Sequence, residues 1–131
     1  MSTLRTNALE GVDAKNSINM ISSAGNVLTH SLQASVSKSW VQFNGSDSTP
    51  VPDGAFNTSS ITDNSSGNYN QNFTNNMANG DYSTPTSRQW NGVTCPDTWN
   101  TSYVNLVTRA GTSSSATDGF VISCAVFGDL A

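Results

Sequence analysis

Catalysis, metal binding and sugar recognition each need particular side chains within reach of one another, and this sequence is thin in the first two. His30 is the only histidine. A Ser-His-Asp arrangement using it would rest on an N-terminal stretch of weak apolar patterning, so His30 reads as a solvated or inter-subunit polar residue. Cys95 stands beside Pro96 with no CxxC partner, which argues against a structural zinc site. Cys95 and Cys124 could join, but in a reducing compartment two free thiols are the expected state. Cys124 also lies in an alternating apolar run that suits a small buried hydrophobe. Asp47, Asp53, Asp63, Asp81 and Asp118 each neighbour Gly, Asn or Ser. Bonds from an Asp carboxylate to nearby backbone explain such placements. The Asp-x-Asp-x-Asp-Gly calcium loop and the phosphate-binding glycine loop are both missing. No catalytic residue, metal ligand or cofactor is assigned, and a non-enzymatic protein is expected.

One constellation has binding chemistry. Arg88, Trp90, Asn91, Asp97, Trp99 and Tyr103 fall in or beside a single irregular stretch. An aromatic face can meet the apolar face of a pyranose while amide, guanidinium and carboxylate groups bond its hydroxyls. These six are therefore the candidate glycan or receptor contacts. The other reading keeps the aromatics as core or subunit-contact residues, where aromatics dominate the energetics.

Composition narrows the classes further. Hydrophobic residues are 35% and charged residues 11% of the 131, against usual values of about 45–50% and about 25%. Ser, Thr and Asn fill the deficit, at about 40% of the chain. Disorder normally combines low hydrophobicity with high charge and few aromatics. Here charge is low and eleven aromatics run from Trp40 to Phe127, which reads as folded β structure with long polar turns. The net charge is −4, and Arg5, Lys15, Lys38, Arg88 and Arg109 are scattered, so nucleic-acid binding is not expected. No apolar run is long enough for a membrane-spanning helix, and no signal-peptide core is evident, so synthesis and assembly in the cytoplasm are expected. Sequons at Asn44, Asn57, Asn64, Asn72 and Asn100 are chance products of an Asn-rich chain.

The pattern changes near Ser35. Residues 1–35 hold no aromatic, and Gly11 and Gly25 interrupt any heptad. Such a segment buries too little surface alone and needs a partner to become ordered. From Val36 the periodicity is that of short strands. Val41 and Phe43 share one face, closed by the Asn44-Gly45 turn signal. Pro50 to Gly54 reads as a turn, Phe56 to Thr62 as a second strand, and Tyr69, Gln71 and Phe73 as one face of a third. Ser83 to Thr101 reads as a loop or broken strand, and Tyr103 to Arg109 as a fourth strand. Phe120 to Phe127 is apolar on both faces, which places it centrally with cover on two sides, the second cover coming from a neighbouring subunit. The expected fold is all-β: an antiparallel β-sandwich or jelly-roll-like domain over 36–131, behind an extended N-terminal arm over 1–35.

The run Lys38-Ser39-Trp40-Val41-Gln42-Phe43-Asn44-Gly45, then Phe56-Asn57-Thr58-Ser59-Ser60-Ile61-Thr62-Asp63-Asn64, resembles a module of tailed-phage tail-fibre and appendage proteins. Gly67, Tyr69 and Phe73, the Asp81-Tyr82 pair and the closing Ala125-Val126-Phe127-Gly128-Asp129 extend the likeness. The opening Ser2-Thr3-Leu4-Arg5-Thr6-Asn7 is similar to the start of small fibre proteins. The resemblance implies a bacteriophage virion structural protein: a trimeric tail-fibre or baseplate-associated subunit, gripping other virion proteins through Met1–Ser35, while a host-surface glycan contact is expected from the Arg88 to Tyr103 constellation alone. It carries over no catalytic or ligand-binding set, because the matched positions, Trp40 among them, read as core and turn residues. The near absence of a shaft leaves a capsid decoration or cement protein as the alternative, and a carbohydrate-binding module as a second.

Overall fold

The computed structural model describes residues 19–23, 26–31, 35–111 and 114–131, and the chain divides into two units, Met1–Val36 and Ser37–Ala131. In the first, β1 (Asn19–Ser23) and β2 (Asn26–Ser31) pair antiparallel, with Asn19 opposite Ser31 and Ile21 opposite Thr29. From sequence, Gly25 reads as an interruption and no strand is expected there. The described part of the arm is instead a pair of antiparallel strands. Of residues 1–35, expected to serve in attachment, 1–18, 24–25 and 32–34 lie outside the described residues.

The second unit contains β3 (Ser39–Phe43), β4 (Pro52–Phe56), β5 (Thr58–Ser65), β6 (Asn68–Phe73), β7 (Thr86–Arg88), β8 (Gly92–Trp99), β9 (Tyr103–Ala110) and β10 (Ile122–Val126). Two antiparallel sheets form, ordered β4-β3-β10-β7 and β5-β6-β9-β8. This is the expected all-β sandwich. At each side the chain passes from an edge strand of one sheet directly into an edge strand of the other. The residue at each corner has a left-handed backbone, Asn57 at φ 51° and Trp90 at φ 70°.

Asparagine suits such a corner, because its short amide tolerates this conformation and can bond locally. The Asn57 Nδ2 group donates to the carbonyls of Lys38 (3.0 Å) and Asn75 (3.1 Å), and its Oδ1 accepts from the Asn75 N–H (2.7 Å). One side chain thus staples the β4–β5 corner to the start of β3 and to the loop after β6.

Alternation builds the core. Val41, Phe43, Ile122, Cys124 and Val126 point inward from one sheet; Ile61, Tyr69, Phe73, Val104 and Leu106 point inward from the other. Phe43 meets Tyr69 edge-on at 5.3 Å, and Phe73 meets Tyr82 likewise at 6.0 Å. Such pairs add about 0.5–1.5 kcal/mol beyond area burial. A polar tie crosses the core where Gln71, fully buried, donates from Nε2 to Ser39 Oγ (2.8 Å) and Thr58 Oγ1 (2.9 Å).

At the far end the Tyr69 hydroxyl sits between the Gly45 carbonyl and Asp118 Oδ1, each 2.7 Å away, and the same carboxylate oxygen accepts from the Gly67 N–H at 2.6 Å. Burial and the Asp118 carboxylate raise the Tyr69 pKa well above the ordinary phenol value. Burial pushes Asp118 upward, but hydrogen bonds from Tyr69, Gly67 and Ser66 outweigh it and hold the carboxyl below its usual value. Gly67 has φ 68°, and an added Cβ would lie 2.8 Å from the Thr108 and Thr117 carbonyl oxygens, so only glycine fits.

Several expectations are corrected. Pro50 to Gly54 is not simply a turn, since Pro52–Phe56 pairs with β3 as an edge strand, a position where proline is tolerated. Phe56 to Thr62 is not one strand but two, broken at Asn57. Ser83 to Thr101 holds β7 and the eight-residue β8, with Pro96 in that sheet's edge strand. Phe120 precedes β10 and is exposed. Trp40 is 43% exposed rather than core, because the alternation that turns Val41 and Phe43 inward turns Trp40 outward. Cys95 and Cys124 are both free, the first exposed and the second buried, where burial pushes its thiol up to about 12.

Candidate functional site

The six residues expected to contact a glycan fall at opposite ends of β8. Arg88, Trp90 and Asn91 lie at the β7–β8 corner, where Arg88 is committed to the fold. Its Nη1 donates to the Arg109 carbonyl (2.6 Å) and its Nη2 to the Asp118 carbonyl (2.9 Å). Trp90 is 75% exposed and rests on Phe120, ring centroids 5.4 Å apart. The Asn91 carbonyl accepts from the Gly111 N–H at 3.0 Å. At the other end, the Trp99 Nε1 donates to Thr84 Oγ1 at 3.2 Å, while Asp97 and Tyr103 border a separate groove. The structure therefore splits the six: Arg88, Trp90 and Asn91 at one corner, Asp97 and Tyr103 at the groove, and Trp99 on Thr84.

That groove lies on the outer face of β5-β6-β9-β8. In β6 the inward residues Tyr69, Gln71 and Phe73 interleave with Asn68, Asn70 and Asn72, which must point outward. Register sets Asn70 opposite Asn105 of β9. The Asn105 Nδ2 donates to Asn68 Oδ1 and Asn70 Oδ1, both at 2.7 Å. From the other side, Asn64 Nδ2 donates to the same two oxygens at 3.1 Å each. Four amides thus fix one another, and Asn72 Nδ2 extends the line to Thr62 Oγ1 at 2.8 Å.

The groove is shallow, with a volume of about 330 Å³, and Asp97, Thr98 and Tyr103 line it beside the asparagines. The backbone of Tyr103 is held from beneath: the Tyr82 hydroxyl lies 3.0 Å from its carbonyl and 2.9 Å from that of Asn100. Burial pushes the Tyr82 pKa up to about 12, so this clamp stays protonated. From sequence, each asparagine reads singly, as a turn residue or a chance sequon. The signal that could have found them is the phase of β6, whose whole outward face is asparagine.

The outer face of β4-β3-β10-β7 is built differently. Phe56, Trp40 and Ala125 stand opposite one another across three adjacent strands. Pro85 adjoins them, its carbonyl accepting from the Ala125 N–H at 3.0 Å. Trp40 and Phe56 are 43% and 53% exposed, and a depression of about 350 Å³ runs beside them, bordered by Pro85, Thr86 and Ser123.

Among the described residues, no group of three His, Cys, Asp or Glu side chains could hold a metal ion. Comparison with protein-family models, curated proteins and solved structures finds no match to this chain.

Proposed function

We propose that the chain is a non-enzymatic structural protein of a bacteriophage particle, a tail-fibre or baseplate-associated appendage subunit that assembles as a homotrimer, with one face open to the host surface. The observation that carries this reading is where the fibre-like residues fall. Phe43, Ile61, Tyr69, Phe73 and Tyr82 are all core, Asn57 is the corner staple, and Gly67 is the turn that only glycine can make. The likeness thus takes in residues that specify the sandwich, together with exposed ones such as Trp40, Phe56 and Asn64.

The trimer is supported by the apolar row Phe56–Trp40–Ala125, which a lone chain leaves in water. Contiguous exposed apolar surface of this kind marks association sites. Residues 1–35 would grip the neighbouring virion protein.

Immunogold electron microscopy of purified particles, with antibody against this chain, tests the reading. Label at the tail end is expected. Label spread over the head would replace the appendage with a decoration protein, and unlabelled particles would overturn the virion assignment.

A further inference from the structure

We propose that the asparagine-lined groove on β5-β6-β9-β8 binds a neutral pyranose of a surface polysaccharide, with Tyr103 as the stacking face and Asp97 and the amides as hydrogen-bonding partners. This gives a chemical identity to the host-surface contact of the proposed function and rests on that reading for its biological source.

The first support is a broken local rule. Asparagine is disfavoured in strands, yet Asn68, Asn70 and Asn105 occupy β6 and β9, the two central strands of their sheet. They are not turn residues, so turn chemistry does not explain them. Sequences tend to break local rules at functional positions.

The second support is how the amides spend their bonds. The carbonyl oxygens of Asn68 and Asn70 are taken by Asn64 and Asn105. Among the described residues, that leaves the NH2 groups of Asn68 and Asn70 as donors and the carbonyls of Asn64 and Asn105 as acceptors, all on strands. A pyranose offers adjacent hydroxyls, each able to donate and accept, and such paired groups match this array. Because the network already holds the amides in place, little side-chain freedom remains to be lost on binding.

Third, shape and charge narrow the ligand. A volume of about 330 Å³ is at the lower end of the roughly 300–1,000 Å³ of small-molecule sites. Among the described residues, Asp97 is the one charged residue bordering it, so an anionic sugar would meet a carboxylate there with no described cation beside it. A neutral sugar can instead donate hydroxyls to that carboxylate.

The test is a glycan array probed with the full chain, carrying neutral hexose and N-acetylhexosamine oligosaccharides beside sialylated, uronic-acid and sulfated ones. Titration calorimetry with the best neutral oligosaccharide follows. Binding confined to neutral glycans is expected, weakened about tenfold or more by Tyr103→Ala and by Asp97→Ala. Trp90→Ala, at the far end of β8, should leave it unchanged. Tyr103→Phe and Asp97→Asn guard against misfolding: the first should retain part of the affinity and the second should lose it. No binding to any neutral glycan, preference for acidic ones, or loss through Trp90→Ala would overturn the proposal. Neutral-glycan binding by a chain that never labels particles would overturn the virion reading alone. Labelled particles whose chain binds no neutral glycan would overturn the groove alone.

Discussion

The two sheets turn inward to a common core, yet their outer faces have little in common. On β5-β6-β9-β8 the outward positions of β6 are all asparagines, and Asn68 and Asn70 bond Asn105 of β9, which stands between Tyr103 and Val107 on that face. On β4-β3-β10-β7 the outward positions of the central strands set the apolar Trp40 and Ala125, beside Phe56 of the edge strand, next to the polar pair Gln42 and Ser123. Period-two alternation turns half of each strand to the core, where most positions are apolar and Gln71 and Ser39 are bonded to each other, and leaves the outward half freer of folding constraint. On the proposals above, what the sequence places outward follows use: a polar ligand on one face, burial against copies of the chain on the other.

The comparison breaks most completely if the shared core fails. Phe43→Ala empties a fully buried position and should cost about 3–5 kcal/mol on denaturant unfolding, with both faces lost together. The corner staple comes next. Asn57→Ala puts a less tolerant residue at φ 51° and removes the bonds to Lys38 and Asn75. A loss of about 2–3 kcal/mol is expected, and one below about 0.5 kcal/mol would show that the staple is incidental.

Acid should act at the Asp118 end. Its folded pKa is lowered, so the unfolded chain binds more protons as pH falls through the window below the ordinary Asp value. The stability from Asp118 is thus fully present above that value and is lost as pH drops through the folded pKa. Unfolding midpoints of wild type and Asp118→Asn, measured from about pH 2 to pH 6, should converge at the acid end. Parallel curves would contradict this.

The smallest effects sharpen the comparison of faces. Asn70→Ala on the polar face and Trp40→Ala on the apolar face should each change the stability of the isolated fold by about 1 kcal/mol or less. Their consequences should differ: Trp40→Ala abolishes the rise of unfolding midpoint with protein concentration, and Asn70→Ala preserves it.

Much of the sandwich is legible in the residues. Val41 with Phe43, Tyr69 with Gln71 and Phe73, and Ile122 with Cys124 and Val126 alternate cleanly, and all are buried. What hides is edge structure, because β4 and β8 contain proline and glycine, which read as breaks but are tolerated where one side of the strand is unpaired. Trp40 is misplaced when size alone is taken as a mark of burial, since the phase of its own strand already points it outward. Tyr103 and Asp97 are legible as binding chemistry, but their true neighbours are not. The pairing of Asn70 with Asn105 depends on β6 and β9 being adjacent, which no local pattern encodes. Trp90 and Trp99, close in sequence, are separated because an extended strand lies between them.

Hydroxyl-radical footprinting of the full chain in solution, comparing Trp40 with Trp90, tests the division between faces most directly. Both side chains are open on a single chain, at 43% and 75% exposure. If copies bury the β4-β3-β10-β7 face, Trp40 will be strongly protected at working concentration and will become reactive on dilution, while Trp90 reacts throughout. Equal reactivity of the two, scaled to their exposures at every concentration, would contradict it.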